Sequence, residues 1–168
     1  MPFRSERLRP HHQTQGFDSG ESILDNWLTA SALPADRMGT ARTFGWCDEV
    51  SHVVAYVSLC PHDVRRESIP SAIGRGSPNV IPSILLARLA LDRSLQGGGL
   101  GAQLLVDAVG RAVDAVRVAG GRLLVVDALH ERASAFYEHH GFQRVPGVSL
   151  RLVMKASDAA ASLGLPWP

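Results

Sequence analysis

The chain has 168 residues, 45% of them hydrophobic and 20% charged, which suits one globular domain with a proper core and leaves too little for a second. A formal net charge of +1 excludes a globally basic nucleic-acid binder, although the positive charge is nearly all arginine, with Lys155 the only lysine, and a one-sided basic patch stays compatible. No apolar stretch approaches the roughly 20 residues of a membrane span, and Met1-Pro2-Phe3-Arg4-Ser5-Glu6-Arg7 lacks a signal peptide's hydrophobic segment, so a soluble cytoplasmic protein is expected.

Residues 4–9 read as a first edge strand leading into a loop over 11–16. Asp18 or Ser19 is placed to cap a helix from about Glu21, with Ile23, Leu24, Trp27 and Leu28 on one face and the Leu33-Pro34 step as its end. Residues 40–47 and 52–59 then read as two strands of a hairpin around the turn 48–51. Pro70, Gly74, Gly76 and Pro78 among polar residues make 61–82 a long loop with at most a short helix. Residues 84–91 are a short buried strand, and Leu104, Leu105, Ala108, Val109, Ala112, Val113 and Val116 recur at helical spacing up to the stop Gly120-Gly121. A second buried strand at 122–126, a helix at 132–140 stopped by Gly141, a turn at Pro146-Gly147 and a final strand at 149–154 follow. The domain is expected to close near residue 156, with 157–168 a frayed tail carrying at most one short helix.

Cys47 and Cys60 have no C-x-x-C spacing, so buried free thiols are favoured over a covalent cysteine intermediate. His11, His12, His52, His62, His130, His139 and His140 show no metal-ligand spacing, and no metal is expected. His139 and His140 sit where a helix C-terminus would favour positive charge.

The segment Leu95-Gln96-Gly97-Gly98-Gly99-Leu100-Gly101 lies between the apolar strand and the apolar helix. At a helix N-terminus the first N–H groups lack intrahelical partners and the dipole is positive, so an anion can be held where side chains stay away. There is no Gly-Lys-Ser/Thr for a P-loop. Asp127 lies too far downstream for the acidic residue expected about 20 residues after a dinucleotide loop. A phosphate loop and an unliganded surface turn both remain consistent with the glycines taken alone.

Further along stands Ala133-Ser134-Ala135-Phe136-Tyr137-Glu138-His139-His140-Gly141-Phe142. With the Gln96-x-x-Gly99-x-Gly101 loop, the chain resembles the GCN5-related N-acetyltransferases, in which such a loop binds the pyrophosphate of acetyl-CoA and such a helix carries a tyrosine beside the thioester sulfur. Phe17 to Leu28, Ala41-Arg42-Thr43-Phe44, Ala87 to Asp92 and Ala128-Leu129 narrow the resemblance to the acetyltransferase toxins of bacterial toxin–antitoxin pairs, which acetylate the amino acid on charged tRNA. The resemblance implies an α/β fold, with one mixed, mostly antiparallel sheet flanked by helices and a β-α-β-α acetyl-CoA-binding unit.

It also implies roles. Leu89, Ala90 and Leu91 would pair with the pantetheine arm and offer an amide to the acetyl carbonyl, while Gln96, Gly97, Gly98, Gly99, Leu100, Gly101 and Ala102 anchor the pyrophosphate. Many relatives carry Arg or Lys at the position of Gly98, which leaves phosphate binding weaker here or dependent on Arg93. Tyr137 is the candidate general acid, since a phenol with a pKa of about 10 stays protonated at neutral pH; packing beside Phe136 is its alternative role. Phe136 belongs to the cofactor side, and Ser134 either contacts CoA or faces solvent. Arg42, Arg65, Arg66, Arg75, Arg88 and Arg93 are candidate tRNA contacts. No general base stands out beyond Glu67, His62 and His130, which weakly favours an α-amine acceptor with a pKa of about 8 over a lysine near 10.4. Expected partners are a ribbon-helix-helix antitoxin and a second copy of the chain, with no membrane. The competing readings are a metabolic N-acetyltransferase of a small amine or protein N-terminus, and a CoA-binding module without turnover.

Overall fold

The computed structural model describes residues 3–147 and 150–167. The strand start expected at Ser149, the opening Met1-Pro2 and the final Pro168 lie outside the described residues. The strands are β1 (Arg4–Arg7), β2 (Arg42–Cys47), β3 (Val53–Arg65), β4 (Val80–Leu91), β5 (Leu123–Asp127), β6 (Gln143–Arg144) and β7 (Arg151–Lys155), in the sheet order β1-β2-β3-β4-β5-β7-β6. The helices are α1 (Ser22–Ala30), α2 (Ala32–Met38), α3 (Ser71–Gly74), α4 (Leu100–Ala119), α5 (Glu131–His139) and α6 (Ala156–Ser162). β1–β2, β2–β3, β5–β7 and β6–β7 pair antiparallel and β4–β5 parallel, as expected of a mixed, mostly antiparallel sheet. Two compact units are formed, Met1–Cys60 with Ala87–Leu105, and Pro61–Leu86 with Val106–Pro168. No helix among the described residues is long and apolar enough to cross a membrane.

In the first unit, Leu24 and Leu28 of α1 join Leu8, Phe17, Val53, Tyr56 and Ala90 in one core. Tyr56 is fully buried, so its hydroxyl needs a partner, and it donates to the Leu24 carbonyl at 2.7 Å. Trp27 stacks on the same ring with centroids 6.1 Å apart. The helical run does not end at Pro34: α1 stops at Ala30, and Pro34 lies in the first turn of α2, where its missing N–H would have no intrahelical acceptor anyway. The N-cap of α1 is Glu21, without a side-chain bond. Ser19 acts just ahead of it, donating to the Asp25 carboxylate from its N–H at 3.0 Å and its hydroxyl at 2.6 Å.

In the second unit, the expected long loop is mostly ordered. β3 runs on to Arg65, a 3-10 turn (Arg66–Ser68) and α3 follow, β4 begins at Val80, and the Arg66 N–H donates to the Asn79 carbonyl at 2.9 Å. The cause is tertiary, because Val64, Ile69, Ile73 and Ile81 are buried with Leu123, Val125, Val145 and Val153. Those apolar residues are spaced too widely among prolines and glycines to show a local period. α4 forms as its pattern predicts and ends at Gly120, whose φ of +90° and N–H bond to the Val116 carbonyl terminate it. β4 and β5 are in parallel register from Ser83–Leu123 to Leu86–Val126, and β4 then continues through Leu91. α5 opens on His130, whose Nδ1 accepts the Ala133 N–H at 3.1 Å. The short helix allowed for in the tail is present as α6 directly after β7, with Ala156, Ala159 and Ala160 fully buried.

Candidate functional site

Leu89, Ala90 and Leu91 end β4, and the chain passes through Asp92 and a 3-10 turn (Arg93–Leu95) into the glycines and α4. The Asp92 carboxylate accepts from the N–H of Ser94 at 3.0 Å, the Ser94 hydroxyl at 2.8 Å and the N–H of Asp18 at 3.1 Å. Burial pulls the Asp92 pKa upward, but these bonds outweigh it and hold the carboxyl below its ordinary value. Gly97 and Gly99 have φ of +87° and +81°, a backbone that side chains disfavour. A Cβ placed at Gly97, Gly98 or Gly99 would meet no heavy atom within 4 Å, so the loop backbone is bare and open. Leu100, Gly101 and Ala102 then supply the first, unpaired N–H groups of α4 at the positive end of its dipole. Bare amides in open space suit a phosphate. The Gln96 side chain is already engaged: its Nε2 donates to the carbonyls of Ser19 at 3.0 Å and Leu91 at 2.8 Å, which uses both amide protons.

In the second unit, Tyr137 is 7% exposed and packs edge-on against Phe136 and Phe142, with centroids 5.3 Å and 5.8 Å away. Burial pushes its phenol up to about 12. Ser134, one turn earlier on α5, is fully buried rather than solvent-facing, and its hydroxyl has no hydrogen-bond partner among the described residues. A buried orphan hydroxyl costs about 1–3 kcal/mol unless a ligand or water satisfies it. Phe136 is half-buried and lies 4.8 Å from the His140 ring. Burial and neighbouring His139 lower the His140 pKa, which works against the positive charge that the helix C-terminus favours.

The three candidate bases separate. His130 is the α5 cap, and Glu67 lies in the turn after β3. His62, on β3, has a buried Nε2 without a partner among the described residues; burial, and then Arg151, lower its pKa. Beside it Asp127 and Arg151 form a two-bond pair, both distances 2.7 Å.

The candidate arginines differ in how far their donors are committed. Arg42 donates to the Asp36 carbonyl at 2.8 Å, Arg66 to the Ser77 carbonyl at 2.7 Å and to Asn79 Oδ1 at 2.8 Å, and Arg93 to Asp18 Oδ1 at 3.1 Å. Arg88 lies over the Trp27 ring at 4.0 Å. Arg65 and Arg75 have no side-chain partner among the described residues, and with Arg66 they line a cavity of about 680 Å³ between β3 and β4.

Cys47 is pushed up to about 11 and Cys60 upward as well, in both cases chiefly by burial, so neither is a ready thiolate nucleophile. Glu6, His11 and His12 place ligand atoms within 4.8 Å of one another, a grouping their spacing did not suggest. His12 Nδ1 accepts the Arg9 N–H at 2.8 Å, which puts the ring proton on Nε2, facing Glu6 at 3.0 Å. In that tautomer His12 has no lone pair left for a metal. The roles that sequence reasoning missed are those of Asp18 and Asp92, which hold the loop; Asp18 was expected only as a helix cap, and both lie in the Phe17 to Leu28 and Ala87 to Asp92 stretches.

Residues 41–144 match the family profile described as "Acetyltransferase (GNAT) domain". The chain is 39% identical over 158 residues to a "tRNA-acetylating toxin" of Mycobacterium tuberculosis, covering 94% of this chain and 95% of that protein. It is similar to the solved structure of AtaT complexed with acetyl-methionyl-tRNAfMet, at a TM-score of 0.88 and 30% identity over 96% of this chain and 99% of that one. It is also similar to a tyrosine-to-phenylalanine mutant of the AtaT toxin bound to the C-terminus of the antitoxin AtaR and acetyl-CoA, at a TM-score of 0.83 and 29% identity over 97% and 99% of the two chains.

Proposed function

The chain belongs to the acetyltransferase (GNAT) family and is an acetyl-CoA-dependent N-acetyltransferase, and from that premise we propose that it is a toxin acetylating the α-amino group of aminoacyl-tRNA. The observation that carries the proposal is the 39% identity to a tRNA-acetylating toxin across 94% of this chain. Acetyl-CoA, when bound, supplies the acetyl group as an activated thioester. In the proposed site the bare amides from Gly97 to Ala102 hold the pyrophosphate, and the backbone of Leu89, Ala90 and Leu91 aligns the pantetheine arm. The open space at Gly97, Gly98 and Gly99 and the orphan hydroxyl of Ser134 both fit such a polar donor, and Phe136 supplies apolar wall.

Tyr137 faces the departing sulfur in this reading. A phenol near 12 is a far weaker acid than a thiol of about 8.5, so complete proton transfer would be uphill by several kcal/mol. Tyr137 therefore works by donating a hydrogen bond to the charge that develops on sulfur, which in a dry site is worth more than in water. No dedicated base is needed to free the nucleophile, because an α-amine with a pKa of about 8 is neutral in roughly one molecule in ten at pH 7. As its C–N bond forms and the C–S bond breaks, the proton shed by nitrogen passes to water and the released thiolate takes one from water. Arg65, Arg75 and Arg88 keep free N–H groups for tRNA phosphates. A ribbon-helix-helix antitoxin and a homodimer complete the proposal.

The test is mass analysis of aminoacyl-tRNA incubated with the protein and acetyl-CoA. Acetylated aminoacyl ends are expected; acetylation of free amines with charged tRNA left intact would instead identify a metabolic enzyme.

A further inference from the structure

We propose that Asp18 is a positioning residue for the acyl-donor site, clasping the loop that leads into Gly97, Gly98 and Gly99. The proposal rests on the reading that those glycines hold the pyrophosphate of acetyl-CoA. Asp18 lies ahead of α1, 75 residues from Arg93 in sequence, yet the two segments are laced together. The Asp18 N–H donates to Asp92 Oδ2 at 3.1 Å, the Arg93 N–H donates to the Asp18 carbonyl at 2.8 Å, and Arg93 Nη2 donates to Asp18 Oδ1 at 3.1 Å. Next to them, Gln96 Nε2 donates to the Ser19 carbonyl at 3.0 Å. Asp18 Oδ1 also accepts the Gly20 N–H at 3.0 Å, and Ser19 is tied to Asp25 of α1, so the clasp is itself anchored to a helix.

What this achieves is not bulk stability. The Arg93 and Asp18 side chains are 63% and 54% exposed, and such a surface pair contributes little to folding. Its value is local, because consecutive glycines give up more conformational freedom on ordering than any other residues. α4 holds the far leg of the loop, and the clasp holds the near leg at Asp92, Arg93 and Gln96. Only the glycines between are left to settle around an anion, so the ordering cost falls before the ligand arrives.

The same geometry reassigns two side chains. Arg93 is held by a carboxylate instead of being free for a phosphate, and Gln96 is a strut whose side-chain donors are spent inside the protein.

The experiment is calorimetric binding of coenzyme A to the full chain as wild type, Asp18→Ala, Asp18→Asn and Arg93→Ala, with amide hydrogen exchange of residues 96–102. Asp18→Ala is expected to weaken coenzyme A binding about fivefold, Asp18→Asn by less, and Arg93→Ala by about as much as Asp18→Ala. Loop exchange should quicken in all three variants without ligand, and the KM for acetyl-CoA should rise while that for charged tRNA holds. Unchanged binding and exchange in Asp18→Ala, with normal binding by the wild type, overturns the clasp alone. Tighter binding by Asp18→Ala overturns it too, since Arg93 would then be a phosphate ligand that Asp18 restrains. Wild-type protein that binds no coenzyme A overturns the loop reading and the clasp with it.

Discussion

The guanidinium carbon of Arg88 lies 4.0 Å from the centroid of the Trp27 ring, so a cation on β4 sits over an aromatic of α1. Trp27 is itself stacked on buried Tyr56, and the arginine is therefore aimed before any ligand arrives. A stacked guanidinium keeps its N–H edges free, unlike that of Arg42, which is bonded to Asp36. Arg88→Ala, Arg65→Ala and Arg75→Ala are each expected to weaken tRNA binding and to lower the slope of log affinity against log salt by about one. Arg42→Ala should leave the slope unchanged. Filter binding of charged tRNA across a salt series measures both.

Tyr137→Phe should lower kcat by roughly a hundredfold, with little change in coenzyme A binding, because the hydroxyl is lost while the ring still fills its place. The phenol is pushed up to about 12, so it stays protonated through any practical assay range. The wild-type rate should rise with pH as the acceptor amine, pKa about 8, loses its proton, and then stay level to about pH 10. A fall in rate between pH 8 and about 10 would show that the hydrogen-bond donor is a more acidic group.

His62 links stability to mild acid. Burial of its unpartnered Nε2 and the nearby Arg151 charge depress its pKa below 6.5, against weaker upward pulls from Asp127 and Asp63. A group depressed in the folded state stabilises it fully above the unfolded value of about 6.5, and loses that contribution as pH falls through the lower, folded value. Urea midpoints should therefore drop as pH falls below about 6.5, and His62→Gln should flatten that part of the profile. The lowered carboxylates Asp36, Asp48 and Asp92 lose their contribution only further into acid.

Two glycines should respond oppositely to a side chain. A Cβ at Gly121 would lie 2.5 Å from Val116 Cγ1, at a φ of +143°, so Gly121→Ala is expected to cost about 2 kcal/mol or more in urea unfolding. Gly98 has open space, and Gly98→Arg should leave stability within about 0.5 kcal/mol of wild type while tightening coenzyme A binding by adding a cation beside the phosphates. Weaker binding by that variant would place the phosphates elsewhere.

The elements that the sequence alone determined are those whose signal is local. α4 shows its buried face in Leu104 through Val116 and its end in Gly120, β5 in an unbroken apolar run, and the loop between β4 and α4 in its glycines. The acetyl-CoA donor was legible for the same reason, in two short motifs lying in order along the chain. The tertiary structure alone decided that β3 continues to Arg65, that the tail packs as α6, and that Ser134 is buried with an unsatisfied hydroxyl. It alone also sorted the arginines into committed and free, and brought Asp18 to Arg93. Each of these depends on partners far away in sequence, Asp18 and Arg93 standing 75 residues apart, and no local period or spacing carries information about which distant groups will meet.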